Sequence, residues 1–66
     1  MRYTIYVREA GDDEAISRPY DETNRKARAI ERADDAMQCP DYISAWVIDW
    51  RSGTPVYRCY QEPANV

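Results

Sequence analysis

Histidine is absent from this 66-residue chain, and its absence removes the commonest routes to chemistry at neutral pH. Serine or cysteine nucleophiles of the usual kind need an adjacent imidazole base. The two cysteines, Cys39 and Cys59, lie twenty residues apart and have no histidine to complete a zinc set. Glycine is almost as scarce. Gly11 and Gly53 are the only two, so no glycine-rich phosphate loop exists. Cysteine is too sparse for the framework of a small secreted domain, and two reduced thiols in a cytoplasmic protein are the expectation. No stretch approaches the ~20 apolar residues of a membrane span. The start, Met1-Arg2-Tyr3-Thr4-Ile5-Tyr6-Val7, has neither the apolar run nor the small-residue cleavage site of a signal peptide. Asp12-Asp13-Glu14 lacks the alternating spacing with which acidic residues wrap calcium. No catalytic residue, metal or cofactor is expected, and the chain is read as a non-enzyme.

Charge narrows the partners. Twelve acids against nine bases leave a net charge of −3, which disfavours duplex nucleic acid, whose binding rests on clustered cations. The bases are eight arginines and Lys26 alone. Arginine suits planar, bidentate and aromatic-stacked contacts better than lysine does. A chain of this length makes one domain whose core is marginal, so association with a partner or a second copy is one way to bury more apolar surface.

What is present has a clear order. Tyr3, Ile5 and Val7 alternate with Arg2, Thr4, Tyr6 and Arg8, the period of a half-buried strand. Gly11-Asp12-Asp13 turns the chain, and Ala15-Ile16-Ser17-Arg18 can return as a short strand ended by Pro19. Asp21 reads as a helix N-cap, with a helix over residues 22–38 in which Ala27, Ile30, Ala33 and Met37 recur at helical spacing and Ala29 and Ala36 widen the stripe. Glu22 with Lys26 and Arg28 with Glu31 are spaced to pair along it. Cys39-Pro40-Asp41 ends it. Residues 42–61 read as a hairpin around Arg51-Ser52-Gly53. That loop pairs Trp50 with Thr54, Ile48 with Val56, Trp46 with Arg58 and Ser44 with Tyr60 on one face, and Val47 with Tyr57 and Ala45 with Cys59 on the other. The expected fold is α+β over residues 1–61, β-(β)-α-β-β: a small antiparallel or mixed sheet of three to four strands with one helix on one face. Residues 62–66 are read as a frayed tail.

One helix covers one face. The covered face is expected to carry Tyr3, Ile5, Val7, Ile43, Ala45, Val47, Tyr57 and Cys59. The other would then expose Thr4, Tyr6, Arg8, Ser44, Trp46, Ile48, Trp50, Val56, Arg58 and Tyr60, a mixture of Trp, Tyr and Arg like that of interface cores. The competing reading is a second small core, with Trp46 and Arg58 stacked across strands and the 9–20 loop or the tail folded over the rest.

The string Tyr42-Ile43-Ser44-Ala45-Trp46-Val47-Ile48-Asp49, followed by Gly53 and Val56-Tyr57 and preceded by an alanine-rich helix and the Tyr3–Val7 start, resembles the short uncharacterised proteins of phage and bacterial genomes. In size, acidity and lack of catalytic groups the chain is similar to the phage anti-defence inhibitors, anti-CRISPR proteins among them. The resemblance implies a non-enzymatic inhibitor that covers a site on a larger host complex, in the host cytoplasm. It contains no signature motif and carries over no functional residue.

Taken together, these observations point to a protein-binding module whose contact residues are Tyr6, Arg8, Trp46, Ile48, Trp50, Arg58 and Tyr60, with Asp12 and Asp13 as an acidic rim that steers encounter. A homodimer through the same face is a variant. The alternative from another class is a single-stranded nucleic-acid binder with Trp46, Trp50 and Tyr60 as stacking platforms and Arg8 and Arg58 on phosphates. A small structural accessory subunit is the third reading.

Overall fold

The computed structural model describes residues 1–13 and 15–61, and the expected tail at 62–66 lies outside them. Five elements follow in order: β1 (Tyr3–Glu9), β2 (Arg18–Thr23), α1 (Lys26–Ala36), β3 (Tyr42–Asp49) and β4 (Thr54–Tyr60). The strands form one sheet in the order β2-β1-β3-β4, antiparallel throughout. Strand β1 is therefore central, and α1 carries the chain across one face from the β2 edge to β3. The protein is a small α+β domain with a single helix on one face of a four-stranded sheet.

The alternation in β1 does what its period implies. Tyr3, Ile5 and Val7 are buried, as are Ala45 and Val47 beside them on β3. The helix meets them with Ala29, Ala33 and Ala36. Ala27, expected in the contact, is exposed and Ile30 only half-buried, so the buried stripe is rotated from the expected one. The reason is steric. Methyl side chains let the helix backbone lie close over β1 and β3, and the larger Met37 packs at the margin.

The helix is also shorter than residues 22–38. Residues 21–23 belong to β2, where Asp21 pairs with Ile5 and Glu22 with Thr4. Asp21 is no N-cap: its carboxylate accepts from the Glu22 amide at 2.8 Å and from Arg32 Nε at 2.8 Å. Glu22 cannot then pair with Lys26 along a helix. Arg28 and Glu31 do pair, at 2.6 Å. The second strand lies later than residues 15–18, and Pro19 sits inside it rather than ending it, as an edge strand allows. Tyr20 explains the shift. It is the extra residue of a β-bulge and packs against the core, where Tyr42 meets it edge-on and the Arg32 guanidinium lies 5.3 Å from its ring centroid. Ile16, which the earlier register would have used, is exposed.

The helix has no side-chain N-cap bond and no acid in its first turn. Its hold comes from the edge strands. Arg32 reaches Asp21 on β2, the Tyr57 hydroxyl of β4 donates to Asp34 at 2.6 Å, and Gln61 Nε2 donates to the Met37 carbonyl at 3.2 Å. That bond to the Asp34 carboxylate, with burial, pushes the Tyr57 phenol up to about 12. Asp34 is thus a structural acceptor rather than merely a solvated charge. Both cysteines are free; the Cys59 thiol approaches the Ala33 carbonyl at 3.6 Å, and burial raises its pKa.

The β3–β4 hairpin departs from the expected register at its tip only. Asp49 pairs with Thr54 and Ile48 with Pro55, so the loop has four residues, Trp50 to Gly53. The Asp49 carbonyl accepts from the Ser52 and Gly53 amides at 3.2 and 2.7 Å, and Gly53 takes φ +68°, which a side chain would strain. A bulge at Val56 absorbs the extra residue and restores the pairs Val47–Tyr57, Trp46–Arg58, Ala45–Cys59 and Ser44–Tyr60. Val56, expected on the open face, consequently packs against the core. Asp49 is held by a bidentate pair with Arg2, at 3.1 Å for both bonds, which ties the start of β1 to the end of β3.

Two outcomes follow. Ile5→Ala and Val47→Ala each lose about 2–4 kcal/mol of stability, whereas half-exposed Ile30→Ala loses about 1 kcal/mol, in denaturant melts read by circular dichroism. Acid acts through three carboxylates. Arg18 and the Glu9 amide hold Asp12 down to about 2, Arg32 lowers Asp21, and Arg2 lowers Asp49. Depressed carboxylates contribute stability that is fully present above their ordinary value and is lost as pH falls through the folded one. The melting temperature therefore holds down to about pH 4 and drops between about pH 4 and 2. Asp12→Asn flattens that drop.

Candidate functional site

Antiparallel register stacks side chains in rows across the face that α1 does not touch. One row runs Thr4, Ile48, Pro55; the next Tyr6, Trp46, Arg58; the third Arg8, Ser44, Tyr60. Directly opposed side chains on one face are close enough to pack. In the middle row the Tyr6 and Trp46 rings stack at 6.2 Å and 22°, and Arg58 lies 5.7 Å from the Trp46 centroid. Because β3 runs between β1 and β4, Tyr6 and Arg58 flank Trp46 from opposite sides.

Trp50 reaches this face from the hairpin loop rather than from the strand. Its amide donates to the Arg2 carbonyl at 2.8 Å, and its indole Nε1 donates to Thr4 Oγ1 at 2.7 Å. The ring lies at the corner of the face, 53% exposed, and Tyr60 at the other end of the sheet is 61% exposed. Thr4 and Ser44, the small residues between the large ones, are buried at the base. A shallow surface depression of about 650 Å³ runs along the face, with Ile48, Pro55 and Trp46 at its apolar part and Arg8, Arg58, Ser17, Ser44 and Tyr60 at its polar part.

No protein-family model, curated protein or solved structure matches the chain. The site is therefore argued from its geometry. Tyr6, Arg8, Trp46, Ile48, Arg58 and Tyr60, all singled out in the sequence, come together on one face, with Trp50 at its corner. Asp12 and Asp13 do not join them. The Asp12 carboxylate accepts from the Glu9 amide and from two Arg18 nitrogens at 2.8–3.0 Å, and Asp13 accepts from the Ala15 amide at 3.1 Å. Both acids shape the turn between β1 and β2, and Arg18 neutralises Asp12. Of the described residues of the 9–20 loop, only Ser17 lines the depression. Pro55 replaces Val56 because of the bulge, which nothing in the hydrophobic pattern foretells.

The electrostatics of this face oppose those of the whole chain. Arg8 and Arg58 form no ion pair among the described residues, where Arg2, Arg18, Arg28 and Arg32 all do. Glu22, at the β2 edge of the Thr4 row, is the one acid among the described residues whose register places it on this side. Among the described residues no group of three His, Cys, Asp or Glu could hold a metal ion, and no helix is long and apolar enough to cross a membrane.

The Trp50–Thr4 bond can be tested by itself. Thr4→Val keeps the branched shape and removes the acceptor, costing about 1 kcal/mol and altering tryptophan emission. In a Trp50→Ala background the same substitution has almost no effect, which a double-mutant cycle measures.

Proposed function

We propose that the chain is a non-enzymatic protein-binding module that docks on a larger protein through the open face of its sheet, acting as an inhibitor or regulator of the anti-defence kind. The observation that carries this reading is the Tyr6–Trp46–Arg58 ladder, flanked by exposed Trp50 and Tyr60, on a face with no covering element among the described residues. Trp, Tyr and Arg are the residues that dominate binding energy once a partner excludes water from them. The ladder also orders those side chains before contact, so less rotamer freedom is lost on docking.

Two other readings are weaker on specific grounds. A single-stranded nucleic-acid groove follows the backbone with many cations, and a chain of net charge −3 with two arginines along this depression counts against that reading. An isologous dimer through this face would bring Arg8 and Arg58 of two copies together with little acid to offset them, and like charges at close range disfavour that contact.

Tagged protein passed over a bacterial lysate should capture a partner that Arg58→Ala and Tyr60→Ala lose and that Arg28→Ala, on the helix side, retains. Each exposed anchor removed should weaken the complex by ~2 kcal/mol or more while melting stays near wild type. Capture that survives both face variants, or a clean dimer in size-exclusion chromatography with light scattering, refutes the reading.

A further inference from the structure

We infer that the Arg8 end of the open face is an anion subsite that takes a carboxylate from an acidic segment of the docking protein, with an apolar residue further along that segment, beyond the Trp46 row, seated on Ile48 and Pro55. The inference rests on the docking reading above and names the chemistry of the partner.

Arg8 Nε is buried and has no hydrogen-bond acceptor among the described residues. A buried donor left unpaired is destabilising, and such exceptions in a folded protein call for a cause. The guanidinium offers five N–H donors in a fixed fork that matches a carboxylate. Around it stand groups of one kind. Arg58 supplies a second cation, the hydroxyls of Ser17, Ser44 and Tyr60 can donate, and among the described residues no carboxylate lines the depression. The adjoining wall of Trp46, Ile48 and Pro55 is apolar, and it keeps water from the contact when a partner is seated, which strengthens a charged hydrogen bond. On a chain of net charge −3, two arginines with no ion pair among the described residues, along a depression whose other part is apolar, make a local complement to a segment carrying both acid and apolar side chains. A nucleic-acid groove would instead follow many phosphates with many cations. A second copy of the chain would bring arginine to arginine.

The test uses the full chain and three probes, followed by amide and side-chain NMR shifts. The probes are a blocked hexapeptide alternating leucine and glutamate, its glutamine counterpart, and a short oligothymidylate. The glutamate peptide should shift Arg8, Ser44 and Tyr60 and the glutamine peptide should not, with Arg8→Gln weakening binding roughly tenfold or more. Arg8→Lys should restore only part of it, since lysine keeps the charge without the fork. If Arg8→Gln does not fold, Arg58→Gln, at an exposed position, carries the same test. Equal binding of the glutamine peptide, Arg8-dependent binding of oligothymidylate, or no shift with any probe each overturns the subsite. Its failure is separable from that of the docking face. A captured partner lost with Tyr60→Ala but kept with Arg8→Gln leaves the face standing without the subsite.

Discussion

The structure depends on one close contact, the seam where Ala29, Ala33 and Ala36 of the helix meet Ile5, Val7, Ala45 and Val47 of the two central strands. Methyl groups bring the backbones near each other but give the helix little lateral reach. A helix is about 10 Å across, whereas four strands span roughly 19 Å. The margins are therefore held by polar clamps, Arg32 with Asp21 on one side and Asp34 with Tyr57 on the other. These clamps also compensate for a helix that lacks its own N-cap. The same arithmetic leaves the far face of the sheet without a helix, and the site exists because of that shortfall.

Periodicity made most of the fold legible. The alternation of Tyr3, Ile5 and Val7 and the pairing of Trp46 with Arg58 could be read directly, because both follow from the two-residue period of a strand. The β2 strand and the helix start could not. Asp21 has the chemistry of an N-cap in isolation, but Tyr20 gains more by packing on the core beside it, and the strand formed around Tyr20 uses Asp21 for a clamp. Tertiary packing outweighed a local signal there. The hairpin tip is a similar case: a three-residue loop fits the glycine, yet the Asp49 carboxylate and carbonyl gather the loop amides into a four-residue turn.

The candidate site was legible in its large residues and illegible in its small ones. Trp46, Arg58 and Tyr60 stand out in any reading of strand parity. Ser17 and Pro55 do not, since one comes from a loop and the other from a bulge, and neither has a sequence signature. The acidic pair Asp12 and Asp13 illustrates the reverse limit. A run of charge looks like a surface for a partner, but the turn it occupies takes up its oxygens with local amides and Arg18.

Both edges of the sheet share a pair of features whose effect is on the behaviour of many molecules rather than one. Strand β2 carries Pro19 and the Tyr20 bulge, and β4 carries Pro55 and the Val56 bulge. Proline has no N–H to donate, and a bulge breaks the even spacing that a further strand needs. Each edge is thus a poor template for strand addition, which disfavours edge-to-edge fibres in concentrated protein despite the exposed Trp50 and Tyr60.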